Sequence, residues 1–259
     1  MSSSSLLWSF QHPEGKPSLL FGSMHIRDDR VYRFCDAIYP LIRQADVYVG
    51  EMDLTYLPQR AAEQGYNMSA FFRPATYGKL RKQIMKSFKL DINRYAHLHP
   101  MMIMSAISQS ILDNDHAVSL DEHLWNYAKD NQLTLQGLET IREQMEILHS
   151  IKPDSLYRQI KEISSQPKKL RKFSDRAIDY YTRGDIHRLY QLTKSSMHEL
   201  RKLIIYDRNR LMVARILKFD PAVRYFISVG AGHLSGSTGI ISGLRKSGYK
   251  VSPVEFKPH

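Results

Sequence analysis

Two tetrapeptides of one form stand near opposite ends of the chain, Gly22-Ser-Met-His25 and Gly230-Ala-Gly-His233. Each follows an apolar run that reads as a buried strand, and each precedes a stretch with helical spacing. Two more strand-like runs end in acids, Gly50-Glu51-Met-Asp53 and Gly137-Leu-Glu139. Imidazole and carboxylate together are a donor set that zinc, cobalt or manganese accepts. The same groups can act as base and acid in a hydrolysis that uses no metal. A glycine just ahead of the polar residue lets the backbone turn sharply or come close to a ligand. Singly, each feature has a plain structural reading: a lone histidine is mostly surface or core, and Glu51 could cap a helix. The repetition of one pattern at both ends is what points to a shared centre.

The elements that would carry these residues follow from periodicity. Leu6–Phe10 and Ser18–Phe21 flank the turn-like His12-Pro-Glu-Gly-Lys16 and predict a hairpin. Asp28 or Asp29 can cap a helix to about Arg43, with Val31, Phe34, Ile38 and Leu41 on one face, and residues 45–50 predict the next strand. Residues 58–116 are helical and irregular, broken at Pro74 and Pro100. A helix from Leu120 to about Asn131 precedes a strand over 133–138, and 140–218 are helical again with breaks at Pro153 and Pro167. Tyr225-Phe-Ile-Ser-Val229, a helix over Gly236–Lys246 and a strand over Tyr249–Glu255 repeat the opening arrangement. The fold class expected is α/β, a sheet formed from N- and C-terminal βαβ halves with a large, mostly helical insertion. One domain over 1–259 is expected, its core in 1–55, 120–140 and 222–259 and its helical parts in 56–119 and 141–221. Ligands in open α/β sheets bind at the carboxyl ends of strands. Four strands should therefore deliver His25, Glu51, Glu139 and His233 to one edge.

Composition narrows the partners. The 259 residues carry a formal charge of +11, are 42% hydrophobic, and hold one cysteine, Cys35, which excludes an internal disulfide. Cys35 falls within a helical pattern and reads as buried filler, so any metal must be held by histidine and carboxylate. Basic clusters at Lys79–Lys89 and Lys168–Arg176 read as solvated helix faces. They lack interleaved aromatics or a binding motif, so no nucleic-acid partner is expected. Association with a membrane surface stays open, although no apolar run is long enough to cross a bilayer. The first residues, Met1-Ser-Ser-Ser-Ser5, lack the features of a signal peptide. The chain as written thus reads as cytoplasmic, or as periplasmic or extracellular where an export signal has been removed.

Several weaker motifs compete. Gly230-x-Gly232-x-x-x-Gly236, with Glu255 downstream, resembles a dinucleotide fingerprint, but Pro253 sits inside that acid's strand. His97 and His99 read as solvated loop residues. Ser235, Ser237 and Thr238 would stand at the start of the last helix, as caps or as an anion site. No serine has the strand-turn-helix context of a hydrolase nucleophile.

The ordered motifs as a set resemble the TraB/GumN family, whose animal relatives are the TIKI proteases. The resemblance rests on Leu7-Trp8 with Leu20-Phe21-Gly22-Ser-Met-His25, on Glu51, on Leu120-Asp121-Glu-His-Leu124, and on Gly137-Leu-Glu139-Thr followed by Gln144. Tyr206-Asp207-Arg208-Asn209, Val229-Gly-Ala-Gly-His-Leu-Ser-Gly236 and Gly248-Tyr249 complete it. Ser23 stands where the family often has threonine. The resemblance implies an erythromycin esterase-like, ChaN-like fold and a hydrolase, most readily a metal-dependent peptidase. In it His25 and His233 bind Mn, Co or Zn with Glu51, Glu139 or both, a remaining glutamate activates water, and Arg208 binds a substrate carboxylate or an oxyanion. Asp207 or Asn209 would orient Arg208. Two other readings follow from the same resemblance. One is a metal-independent hydrolase with His25 as base and Glu51 orienting it. The other is a binding protein that sequesters a peptide signal, as relatives linked to pheromone shutdown suggest, or a haem-like ligand. The expected partner is accordingly a peptide or small-molecule substrate.

Overall fold

The computed structural model describes residues 5–55 and 65–256. Six strands form one mixed sheet: β1 (Leu7–Gln11), β2 (Ser18–Ser23), β3 (Val47–Met52), β4 (Thr134–Glu139), β5 (Tyr225–Gly230) and β6 (Lys250–Pro253). Their order is β4-β3-β5-β2-β1-β6. The fold is α/β, as the sequence predicts. β1 and β2 form the expected antiparallel hairpin, with Leu7 opposite Phe21 and Trp8 opposite Leu20. β6 closes the other side of β1, also antiparallel.

β5 enters between β2 and β3 and runs parallel to both. The crossover from β2 to β3 therefore spans a strand from the far end of the chain, and the two ends interleave. The central strands can do this because they are apolar on both faces. Leu20, Tyr48, Val49, Phe226 and Ile227 are all buried, as parallel strands covered on both sides require. Each such side chain contributes about 1.5–3 kcal/mol through burial.

Register sets the carboxyl ends level. Gly22 pairs with Val229 and Ser23 with Gly230, while Gly50 pairs with Ser228 on one side and Gly137 on the other. Met52 lies opposite Glu139. The four parallel strands β4, β3, β5 and β2 thus end together.

The chain divides into two compact units. The first holds the sheet and comprises residues up to 55, 116–141 and 177 onward; the second comprises 56–115 and 142–176. Within the second, helices Pro74–Phe88, Pro100–Gln109 and Pro153–Ser165 share an apolar core that includes Leu80, Ile84, Ile103, Ile107 and Ile160. Prolines at the first helical positions explain why sequence breaks became helix starts. No strand falls within 65–115 or 140–218 among the described residues; the start of the predicted helical region, 58–64, lies outside them.

Three local expectations change. The helix predicted from Asp29 to Arg43 is two helices, Asp29–Tyr32, capped by the Asp28 side chain, and Cys35–Arg43, in which Cys35 is buried. The last helix begins at Ile240, not Gly236, because Gly236 takes φ +89°, a left-handed conformation that holds the chain in a turn. Its cap is Gly239, so Ser235, Ser237 and Thr238 do not cap it. His99 is fully buried and caps the helix Pro100–Gln109 by accepting from the Met101 amide, whereas His97 is exposed. The two basic clusters are exposed on helices Pro74–Phe88 and Pro167–Thr182, as expected. No helix among the described residues is long and apolar enough to cross a membrane.

Candidate functional site

Glu51, near the end of β3, is the hub of the strand edge. Its Oε2 accepts the Gly230 amide at 2.8 Å, and its Oε1 lies 2.5 Å from Nη2 of Arg208. Nε2 of His25 lies 3.8 Å from Oε2, and Nε2 of His233 lies 3.9 Å from Oε1. Both imidazoles, from opposite ends of the sequence, therefore meet on one carboxylate. The expectation that His25, Glu51 and His233 share an edge is what the geometry shows, and Glu139 joins them through Arg208.

The glycines serve close packing rather than unusual dihedrals. A Cβ on Gly22 would come within 2.7 Å of Leu234 and 3.0 Å of Ala231, so glycine lets the His233 turn sit directly on β2. The turn itself, Ala231–His233, is one 3₁₀ turn, and its leading amide is occupied by Glu51. The fingerprint-like glycines therefore leave no phosphate cradle there.

Arg208 comes from the helix Arg208–Ile216, which follows a π-helical segment, Lys202–Asp207. Such segments offset the side-chain register of a helix and are frequent at functional sites. Arg215 of the same helix donates to the Leu138 carbonyl, fixing it on β4. Arg208 Nε donates to Glu139 Oε1 at 2.9 Å and Oε2 at 3.1 Å, and Nη2 donates to both Glu139 and Glu51. One guanidinium thus neutralises two carboxylates, Glu51 at 8% exposure and Glu139 at 0%. Its Nη1 makes no hydrogen bond among the described residues.

Each histidine has an outer partner on Nδ1. Asn209 Nδ2 donates to the Thr238 carbonyl at 2.9 Å, so its Oδ1 is left to accept from His233 Nδ1, 2.6 Å away. That fixes the proton on Nδ1 and leaves the Nε2 lone pair facing Glu51. For His25 the partner is Asp121, whose Oδ2 is 2.9 Å from Nδ1. Asp121 in turn accepts from the Ser23 hydroxyl. The sequence reading assigned Asn209 or Asp207 to Arg208; the structure gives Asn209 to His233, and Asp207 to exposed pairs with Lys202 and Arg210. The reason is helical geometry: Arg208 and Asn209 are consecutive, so their side chains diverge and reach different neighbours. Asp121 was legible only as a helix-start acid, and Ser23 only as a variant of the tetrapeptide.

The electrostatics separate the two imidazoles. Asp121 is the largest influence on His25 and raises its pKa well above the ordinary value, with Glu51 adding to this against burial. The side chain is 61% exposed, so water screens part of that effect. Burial is the largest influence on His233 and lowers it, so His233 is neutral at pH 7. Burial also weighs most on Glu51 and opposes its charge, but the imidazoles and Arg208 together hold its pKa well below the carboxylate range. With His233 neutral, Arg208 and the His25 imidazolium are the cations that favour ionised Glu51.

A base or metal ligand must be unprotonated, so His25 activity should rise with pH through its raised pKa. Asp121→Asn removes the largest cause of that rise, and the acid limb of a kcat/KM profile should move to lower pH. An acid limb that stays put or moves upward would show that Asp121 does not tune His25.

As a metal centre, the donor set fits in chemistry. Two imidazoles turn Nε2 toward Glu51 with Nδ1 beside second partners, the arrangement metal-ligating histidines show once deprotonated. Yet among the described residues no group of three His, Cys, Asp or Glu side chains stands close enough to hold an ion.

The chain matches the TraB/PrgY/gumN family over residues 6–253 and belongs to it. Among curated proteins it is similar to the "Metalloprotease TIKI homolog" of Nematostella vectensis, 21% identical over 69% of this chain and 44% of that protein. It is likewise similar to "Metalloprotease TIKI1" of Danio rerio, 21% identical over 95% of this chain and 62% of that protein. The chain thus spans between about two-fifths and three-fifths of the length of these relatives. No solved structure matches it.

Proposed function

We propose that this chain is a hydrolase of the peptidase type, working at the edge formed by His25, Glu51, Glu139, Arg208 and His233. The observation that carries the reading is the convergence of two imidazole Nε2 atoms, 3.8 and 3.9 Å away, on the buried carboxylate of Glu51. Similarity to two proteins named metalloproteases supports the reaction class.

His25 is the exposed partner. It lies at the exposed rim, where Asp121 holds its ring with Nε2 toward Glu51 and stabilises the imidazolium that forms when Nε2 takes a proton from water. His233 is the fixed partner, its ring locked by Asn209. Arg208 pairs with the buried Glu51 and Glu139, and its Nη1 is offered to a developing oxyanion or a substrate carboxylate. A divalent ion bound here would be held by His25, Glu51 and His233, and would supply Lewis acidity and a more acidic water. Without one, His25 is the base, its ring held by Asp121 with the Glu51 carboxylate beside Nε2, the metal-independent variant of this reading.

The test is cleavage of a diverse peptide mixture by the pure chain, with and without Mn²⁺, Co²⁺ or Zn²⁺, followed by mass spectrometry of new termini. Cleavage that His25→Ala abolishes is expected. Stoichiometric retention of peptides, with no new termini under any condition, would replace the hydrolase with a sequestering protein. Equilibrium dialysis answers the metal question independently of turnover. One ion per chain, weakened roughly 10–100-fold or more by His25→Ala and by His233→Ala, is expected of the metal variant; equal binding by all three chains would exclude it.

A further inference from the structure

Beside the strand edge, but built from other residues, is a cavity of about 640 Å³. That volume lies in the range of small-molecule sites. Trp8, Ile186, Leu234 and Ile241 line it with buried apolar surface. His187, Ser235, Ser242, Arg245 and Lys246 supply its polar groups, and no acid lines it. None of the five residues of the proposed hydrolytic edge takes part.

Arg245 is held in place. Its Nε and Nη2 donate to the Val251 carbonyl at 3.3 and 2.8 Å, and its guanidinium lies 5.4 Å from the centre of the Trp8 ring. Nη1 remains uncommitted among the described residues. Lys246 donates to the Ser237 carbonyl at 3.2 Å, which leaves the other ammonium protons. Neither cation forms an ion pair with a described acid. Their place in the last turn of the helix Ile240–Lys246 suits the helix dipole. That does not account for a guanidinium stacked on a buried indole beside a cavity. Ser235 Oγ lies 2.7 Å from His187 Nδ1, which fixes a hydroxyl and an imidazole on the same wall.

We propose that this cavity is a second ligand site, specific for a carboxylate carried on an apolar body. The carboxylate would sit on Arg245 Nη1 and Lys246, with the apolar portion against Trp8, Leu234 and Ile241. A free organic acid and the C-terminal end of an apolar peptide share this chemistry. The site does not depend on the hydrolase reading.

The experiment is calorimetric titration of the full chain at low ionic strength with octanoate, octan-1-ol, N-acetyl-Phe-Leu and its C-terminal amide. Saturable one-to-one binding of carboxylates is expected, at least roughly tenfold tighter than that of the neutral counterparts and weaker as salt is raised. Tighter binding of octanoate assigns a free acid, and tighter binding of the dipeptide acid assigns a peptide end. Arg245→Met with Lys246→Gln should weaken carboxylate binding by at least roughly tenfold. Ser242→Phe, which keeps both cations but places a ring in the cavity, should weaken it, so the test survives if the double variant folds poorly. His25→Ala should bind octanoate as the parent chain does. No saturable binding of either carboxylate, equal affinity for acid and neutral forms, or loss of binding in His25→Ala would each overturn the site.

Discussion

Arg208→Met should lower the stability of the sheet-bearing unit by about 3–5 kcal/mol, the cost of stranding buried charge when one partner is removed. For a chain of this size that is a fall on the order of 10 °C in Tm. The reason is the two-to-one arrangement: one guanidinium, 12% exposed, serves Glu51 and Glu139, which have almost no access to water. The pH dependence follows from Glu51. Its pKa is depressed in the folded protein, so its contribution to stability is present above the unfolded value of about 4.3 and lost as pH falls through the folded one. In Arg208→Met that contribution shrinks to what the imidazoles supply, and protonation relieves the stranded charge. The gap in Tm from the parent chain should be widest near pH 7–8 and narrow toward pH 5. Adding Glu51→Gln to Arg208→Met should recover part of the loss, because the two positions are coupled. Thermal melts across that range test all of this. A gap of a degree or two, flat with pH, would show that the cluster is not held by Arg208.

The second large effect separates chemistry from packing. His25→Ala should reduce peptide hydrolysis by roughly 10²–10⁴-fold while lowering stability less than Arg208→Met does, since its side chain is largely exposed and water screens its pair with Asp121. His233→Ala should lose activity and also about 1–3 kcal/mol of stability, because the buried Asn209 Oδ1 loses its donor. Glu51→Ala belongs with His233→Ala: its carboxylate accepts both the Gly230 amide and Arg208, so truncation disturbs the edge itself. Burial and the shared arginine make Glu51→Ala costly to the fold as well as to activity. Activity and melting temperature measured together on the three variants decide the matter. A His25→Ala chain that melts far below the parent yet keeps its specific activity would place the reaction elsewhere.

Much of this was written in the sequence because strands and their ends are local. The apolar runs Ser18–Phe21, Tyr48–Val49 and Tyr225–Val229 read as buried strands, and each is followed by a glycine with His25, Glu51 or His233 within three residues of it. Knowing only that parallel strands present their carboxyl ends together brings His25, Glu51, Glu139 and His233 to one edge. What the sequence could not supply was which strand neighbours which. β5 lies between β2 and β3 because long-range pairing is decided by how two-sided apolar strands bury one another. That insertion puts the Gly230 amide on Glu51 and His233 within 4 Å of it. Helix phase was equally out of reach. A π-helical segment ahead of Arg208 leaves no trace in apolar spacing, yet it accompanies the divergence of Arg208 to the carboxylates and Asn209 to His233. Asp121 reads locally as a favourable charge in the first turn of its helix; only the packing of that helix against β3, β4 and β5 makes it the partner of His25. The sequence determined which chemical groups exist and at which strand ends they stand. The tertiary structure decided who holds whom, because ion pairs and hydrogen bonds depend on ångström distances between segments that the chain order does not relate.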